Sequence, residues 1–326
     1  MIKSRTKYEA TDSEIKDLFE SKGIGSVVSF APLGDGEFNA AYKVTCDSGT
    51  DYVLKIAPPE DAPVLSYEHN MMESEVFWYG KMKENTDILC PDIYASDFSC
   101  KIIKSNCFIM EMMEGEPLWK CDFTPKESER VQEAKIGMLA RIHCVTNDGY
   151  GYRQSGLHAN WYEALRSMAD NLVKDCKELG YETPDGEVFI RLIDKNKDIL
   201  MGAPCRMVNF DLWDSNVLYN NGKIVWIDPE RGFWGDPVAD FITIGKGQNA
   251  PLAEKKAELD IYNRTAKEKI EFTRDTEIRY ACAVAYLALI EEVEKYVRYE
   301  PDHPNYIRNT VDARDMYDMA FEVMRG

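Results

Sequence analysis

The chain has no excess of positive charge. Its 39 lysines and arginines are outnumbered by 57 aspartates and glutamates, a formal net charge of −18. That balance excludes a phosphate backbone or an anionic bilayer as the main partner and is compatible with cationic ligands. Long apolar runs are also missing. The longest, Ala281 to Ile290, is too short to span a membrane, and the opening MIKSRTKYEATDSEIKDLF carries no apolar signal-like core. A cytoplasmic protein without a membrane partner is expected. Cysteine pairing is absent too: nine cysteines are scattered with no C-x-x-C, which reads as reduced, mostly buried thiols rather than a disulfide or zinc framework. Only four histidines occur, and His143 in MLARIHCV sits at helical spacing from Leu139, the pattern of a packed side chain. Catalysis through His or Cys therefore lacks support.

What is present is an ordinary globular composition, 44% hydrophobic over 326 residues, enough for two domains or one large bilobal unit. Thr11 and Glu14 form a capping box for a first helix closed by Gly23. Short β-rich runs follow at Val27 to Leu33, Ala41 to Cys46 and Tyr52 to Ala57, the pattern of an antiparallel meander. Leu65 to Lys83 repeats apolar residues at helical spacing, and strands are expected again at Ile93 to Asp97 and Ile102 to Met110. A polar stretch from Met112 to Pro117 then divides residues 1–112 from 113–326. The second part is mainly helical: Thr124-Pro125, Asn160 and Thr183-Pro184 start helices, and Thr276 to Tyr299 and Pro304 to Met324 supply two more. No repeat or low-complexity tract interrupts it.

Within that helical part lies VNFDLWDSNVLYNNGKIVWIDPERGFWGDP. Val217 to Tyr219 continue as a strand out of the loop from Asp211 to Asn216, Asn220-Asn221-Gly222 is a hairpin turn, and Lys223 to Ile227 return beside it. Asp228 should therefore emerge next to Asn216. Magnesium prefers hard oxygen ligands that bridge phosphates, while a separate carboxylate must meet an incoming hydroxyl. This division of labour makes Asp211 the candidate base and Asn216 and Asp228 the candidate metal ligands. An ionised Asp at the end of so apolar a strand needs a partner, which a metal would supply.

A phosphate end is written earlier in the chain. In LGDGEFNAAYKV, Gly34 and Gly36 leave backbone N–H groups open to phosphate oxygens, and Asn39 suits a tight turn. The next strand, YVLKIA, places Lys55 on one face. The helix after it, Ser66 to Lys83, offers Glu68, Glu73 and Glu75 as partners for that lysine. Glu68 and Glu75 share a face, and Glu75, just before Val76-Phe77, is the choice.

A glycine-rich turn, a strand lysine, a helix glutamate, a hinge at Met110 to Gly115, D-x-x-x-x-N and a later aspartate follow the order of the protein-kinase-like fold. More closely, the chain resembles the aminoglycoside phosphotransferase family, related to choline kinases and fructosamine kinases. The similarity is most specific in Leu33 to Val44, Phe108 to Leu118, Leu139 to His143 and Val208 to Asp240. It implies an α+β bilobal fold, with an N-terminal antiparallel sheet lobe holding one main helix and a larger, mainly helical C-terminal lobe. It also implies ATP and Mg²⁺ as cofactors, adenine bound by the backbone of Glu111 to Met113, and γ-phosphoryl transfer to a small hydroxylated substrate. Two positions depart from the family pattern: Asn209-Phe210-Asp211 stands for the usual His-Gly-Asp, and Pro229 for the Trp that often follows the metal aspartate. A protein kinase is disfavoured, because no Phe-Gly follows Asp228 and no Ala-Pro-Glu segment closes an activation loop. A nucleotide-binding pseudokinase would have lost a chemical residue, and none is lost.

For the acceptor, the resemblance implies an amino sugar of the aminoglycoside kind, held by an acidic pocket of Asp211, Glu230 and Asp236, with Glu291 and Glu292 as further candidates. Trp161, Trp213 and Trp234 equally suit stacking on a neutral sugar or caging a quaternary ammonium. A fructosamine, a neutral sugar and a choline-like alcohol stay open as acceptors. The assembly stays open between monomer and homodimer.

Overall fold

A computed structural model describes residues 7–34 and 38–326. Its N-terminal part is a five-stranded antiparallel sheet of order β1-β2-β3-β5-β4, built from β1 (Val27–Pro32), β2 (Ala40–Cys46), β3 (Asp51–Ile56), β4 (Ile93–Asp97) and β5 (Cys107–Glu111). Helix α1 (Asp12–Ser21) begins with the expected Thr11–Glu14 capping box. It lays Ile15, Leu18 and Phe19 on the sheet face formed by Val44, Leu54, Ile56 and Ile109. Helix α2 (Met71–Asn85) covers the other face, where Val53, Phe108 and Met110 join Trp78, Tyr79 and Met82 in the main core. Because strand side chains alternate, Lys55 falls on the α2 side with Val53.

Two expectations for this region are corrected. The helix starts at Met71 rather than Ser66: Ser66–Glu68 form a separate 3₁₀ turn, and Asn70 adopts a left-handed φ of 57° between the two. The 3₁₀ turn is held by Asp175, which accepts the Ser66 amide at 2.8 Å and its hydroxyl. Strand β5 begins at Cys107, because residues 101–105 bend instead of extending.

The chain leaves the sheet through Gly115, whose φ of +138° and close approach to the Tyr219 carbonyl exclude a side chain; an added Cβ would lie 2.9 Å from that oxygen. Strand β6 (Glu116–Pro117) then pairs with β8 (Val217–Asn220), which is hairpinned to β9 (Lys223–Trp226). The turn uses left-handed Asn221 and Gly222, at φ 48° and 86°. Around it pack α3 (Pro125–Ile142), α4 (Trp161–Glu178), α5 (Pro184–Lys195), α6 (Lys197–Met201), α7 (Lys256–Thr265), α8 (Arg274–Arg298) and α9 (Pro304–Arg325). Strand β7 (Arg206–Val208) pairs antiparallel with β10 (Phe233–Gly235), Val208 opposite Phe233. Among the described residues no helix is long and apolar enough to cross a membrane.

Candidate active site

Three short connections carry the site. The β7–β10 pairing is the first. Continuing its register past Val208 and Phe233 brings the loop after β7, with Asp211, against the segment Glu230-Arg231 that precedes β10. The loop is shaped from inside. Phe210 takes a left-handed φ of 63°, the Asn209 side chain accepts the Asp211 amide at 2.7 Å, and the buried Asp240 carboxylate accepts the Asn209 and Phe210 amides at 3.1 and 2.6 Å. His143 Nε2 donates to the same carboxylate at 2.9 Å, and its Nδ1 meets the Tyr262 hydroxyl at 3.0 Å. The packed histidine is thus a brace for the loop, one the sequence did not reveal. Its only trace there was an Asp and a His inside the regions most like the family.

The hairpin is the second connection. The Ile227 amide donates to the Asn216 carbonyl at 3.0 Å, which sets Asp228 beside Asn216. The Asn216 amide in turn donates to Asp211, to its backbone oxygen at 2.9 Å and its Oδ2 at 3.0 Å. Asp228 sits at φ 62° immediately before Pro229, its amide donating to Tyr79 of α2 at 2.8 Å. A non-glycine residue in this region is held there by its surroundings. The Asp228 side chain keeps 33% exposure.

The third connection joins sheet to helix. Lys55 donates to both Glu75 oxygens, at 2.9 and 2.8 Å, to Asp228 Oδ1 at 2.5 Å, and lies 3.5 Å from Glu230. These three carboxylates outweigh the effect of burial and hold the ammonium well above its usual range. Glu68 is engaged elsewhere, with Arg298 of α8.

Other expected residues fall in different places. Asn39 is not left-handed; its amide donates to Glu230 at 2.6 Å, across the entrance to Lys55. Gly34 is exposed and Gly36 lies outside the described residues. Glu111 ends β5, its amide on the Asp92 carbonyl at 2.8 Å, and half-buried Met113 follows in the connection to β6. Glu230, through Lys55 and Asn39, faces the lysine rather than an acceptor pocket, and burial pushes its carboxyl up to about 7. Asp236 is buried, caps the Val238 amide at 3.2 Å and pairs with Arg279 at 3.3 Å. Of the three carboxylates expected around the acceptor, these contacts leave Asp211 facing that side of the site. Glu292 is bonded by Thr183 and Tyr317 at 2.6 and 3.1 Å. Trp161 and Trp234 are core side chains, packed on Phe233 and Trp78, while Trp213 is half-buried. Burial lifts the Asp211 carboxyl well above the usual range, opposed by Arg231 and assisted by Asp228 and Glu230.

The residues present suit a divalent cation. Asp228 offers an accessible carboxylate, and the Asn216 amide nitrogen is turned to Asp211, so that its side-chain oxygen, met by the Ser215 hydroxyl at 3.3 Å, keeps a lone pair for a ligand; the Glu75, Asp228 and Glu230 oxygens, within 4.8 Å of one another, already surround the Lys55 ammonium. Such oxygen donors match magnesium.

An antiparallel sheet lobe with a buried lysine–glutamate pair, joined to a helical part that supplies aspartate, asparagine and aspartate, defines a kinase-like phosphotransferase. The chain belongs to the phosphotransferase enzyme family, whose model matches residues 29–272. Among solved structures it is similar to a candidate aminoglycoside phosphotransferase from Ralstonia eutropha, at 16% identity and TM-score 0.67, covering 97% of this chain and 98% of that one. It is also similar to a candidate fructosamine-3-kinase from Thermobifida fusca, at 19% identity and TM-score 0.63, covering 97% and 100%. A third similar structure is the aminoglycoside phosphotransferase APH(4)-Ia, solved in a ternary complex with AMP-PNP and hygromycin B, at 18% identity and TM-score 0.60, covering 97% and 98%. No curated protein matches the chain.

Proposed function

We propose that the protein is an ATP- and Mg²⁺-dependent kinase that phosphorylates a hydroxyl group of a small molecule. One observation carries this reading: Asn216 links Asp211 to the strand pair that presents Asp228, and Asp228 lies 2.5 Å from Lys55, so base, metal ligands and phosphate-binding ammonium converge. In the transfer, the acceptor oxygen bonds to the γ-phosphorus, the bond to the β,γ-bridging oxygen breaks with its electrons leaving on ADP, and the hydroxyl proton passes to Asp211. Glu75 orients Lys55 toward the α- and β-phosphates, and the Gly34 turn with the backbone of Glu111 to Met113 takes the phosphates and the adenine. Magnesium, when bound by Asn216 and Asp228, supplies neutralisation of the phosphate charge. The N-terminal residues 1–112 form the nucleotide side, and residues 113–326 the acceptor side.

An amino sugar is the acceptor implied by the resemblance, and the hygromycin B complex of a similar protein supports including aminoglycosides in any screen. The test is ADP release with ATP and Mg²⁺ over amino sugars, neutral sugars, choline and hydroxy acids. Acceptor-dependent release that stops with EDTA is expected. Absence of such release with every acceptor overturns the reading.

A further inference from the structure

The acceptor side of Asp211 contains a cation that the sequence did not announce. Arg231 Nε lies 4.0 Å from Asp211 Oδ1, and its side chain keeps 19% exposure. One amino group donates to Glu294 of α8 at 2.8 Å, and the Tyr67 ring lies 5.9 Å from the guanidinium carbon. Glu294 does not depend on Arg231 alone, since the Tyr67 hydroxyl bonds it and Arg298 lies 3.5 Å away. Arg298 also pairs with Glu68, so Glu68, Glu294, Arg298 and Arg231 balance one another in charge. Among the described residues Glu294 is the one side chain that takes a hydrogen bond from Arg231, and none of the remaining guanidinium N–H groups is sealed away from solvent without a partner. A buried arginine beside a catalytic carboxylate therefore keeps donors for a ligand.

We infer that Arg231 anchors a carboxylate of the acceptor, so that the substrate is a short hydroxy acid whose hydroxyl reaches Asp211 while its carboxylate meets the guanidinium. The planar fork of arginine matches carboxylate geometry. The two protein atoms are 4.0 Å apart, and hydrogen bonds add roughly 3 Å at each end. Acceptor hydroxyl and carboxylate oxygens are thus at most about 10 Å apart, within the span of a three- to six-carbon chain. The transferring phosphoryl group is the other oxyanion near Asp211, but the phosphate side already has Lys55, and the hydrogen bond of Arg231 runs to the helical part.

This inference rests on the kinase reading, and the test separates the two. Glycerate and gluconate are compared with glyceramide, glycerol, glucose and kanamycin, by ADP release at saturating ATP and Mg²⁺. The wild-type protein should use an acid with kcat/KM at least about 100-fold above its neutral counterpart, as expected when a site built for an ionic partner is left unpaired. Arg231→Lys, which keeps a charge beside Glu294, should raise KM for the acid about tenfold or more with ATP affinity unchanged. The pair Arg231→Met with Glu294→Gln avoids an uncompensated buried carboxylate and should abolish the preference for acids. Turnover confined to neutral or cationic acceptors overturns the inference and leaves the kinase standing. A fall in kcat with every acceptor, without a change in KM, assigns Arg231 to the phosphoryl group instead. No acceptor-dependent ADP release at all removes the kinase reading and this one with it.

Discussion

Glu75 receives the Lys55 ammonium on both carboxylate oxygens, at 2.9 and 2.8 Å, with no exposure of its own side chain. A fully buried carboxylate facing one lysine couples the two substitutions unequally: removing Lys55 leaves Glu75 uncompensated, whereas removing Glu75 leaves Lys55 with Asp228 and Glu230. Lys55→Ala should lower kcat/KM strongly, Glu75→Ala less so, and the double variant should cost clearly less than the sum. A double-mutant cycle on kcat/KM measures it, and full additivity would detach Glu75 from the function of Lys55.

Asp211 and Asp228 should separate by readout. Asp211→Asn retains a hydrogen-bonding side chain beside Asn216 but cannot accept the hydroxyl proton. Turnover should fall by about 10²–10⁴ with nucleotide affinity nearly unchanged. Asp228→Ala removes the carboxylate beside Lys55; in calorimetry the wild type should bind ATP more tightly with magnesium, and this variant should lose that difference. Equal affinity with and without magnesium in both proteins would refute the metal role.

Asp240 holds the Asn209 and Phe210 amides and the His143 ring. Asp240→Ala leaves three donors in a buried place, each costing about 1–3 kcal/mol. Together that is about 3–9 kcal/mol, and at about 2 °C per kcal/mol, the low end of the range for chains of roughly 150–250 residues, the thermal midpoint should fall by roughly 6–18 °C. A change under about 2 °C would mean that the loop does not depend on this brace.

Burial, with Asp312 and Glu294 adding to it, pushes the Glu291 carboxyl from 4.5 up to about 7. A raised folded-state value means that the native protein binds this proton more tightly than the unfolded chain. The stability it contributes is complete below about pH 4.5 and lost as pH rises through about 7. Between about pH 5 and 8 the wild type should therefore lose on the order of 2 kcal/mol more than Glu291→Gln in urea unfolding, with the partial exposure of the side chain discounted. The same pH slope in both proteins would exclude Glu291 as the source.

Local chemistry was legible without the fold. Thr11 with Glu14 and Thr124 with Glu127 cap their helices as expected, because a capping box closes within four residues. Asn220-Asn221-Gly222 turns the hairpin because Asn and Gly tolerate the left-handed backbone it needs. The alternation of YVLKIA put Lys55 on one face. The choice of Glu75 over Glu68 was harder, since helical spacing alone gave both residues one face. That symmetry ended at Asn70, whose left-handed backbone stops the helix short of Glu68.

What the sequence by itself determined was thus most of the elements and their order, though not β6, β7 and β10, and the residue types of a phosphoryl-transfer centre, each governed by hydrogen bonds and periodicities only a few residues long. What only the tertiary structure decided was where charged side chains point. Glu230 turns to Asn39, 191 positions away in sequence, Glu68 to Arg298 at 230, and Asp236 to Arg279 across helix α8. Arg231 reaches Asp211 only because β7 and β10 pair in one register. A buried charge must find a countercharge, but which one it finds depends on how the elements pack.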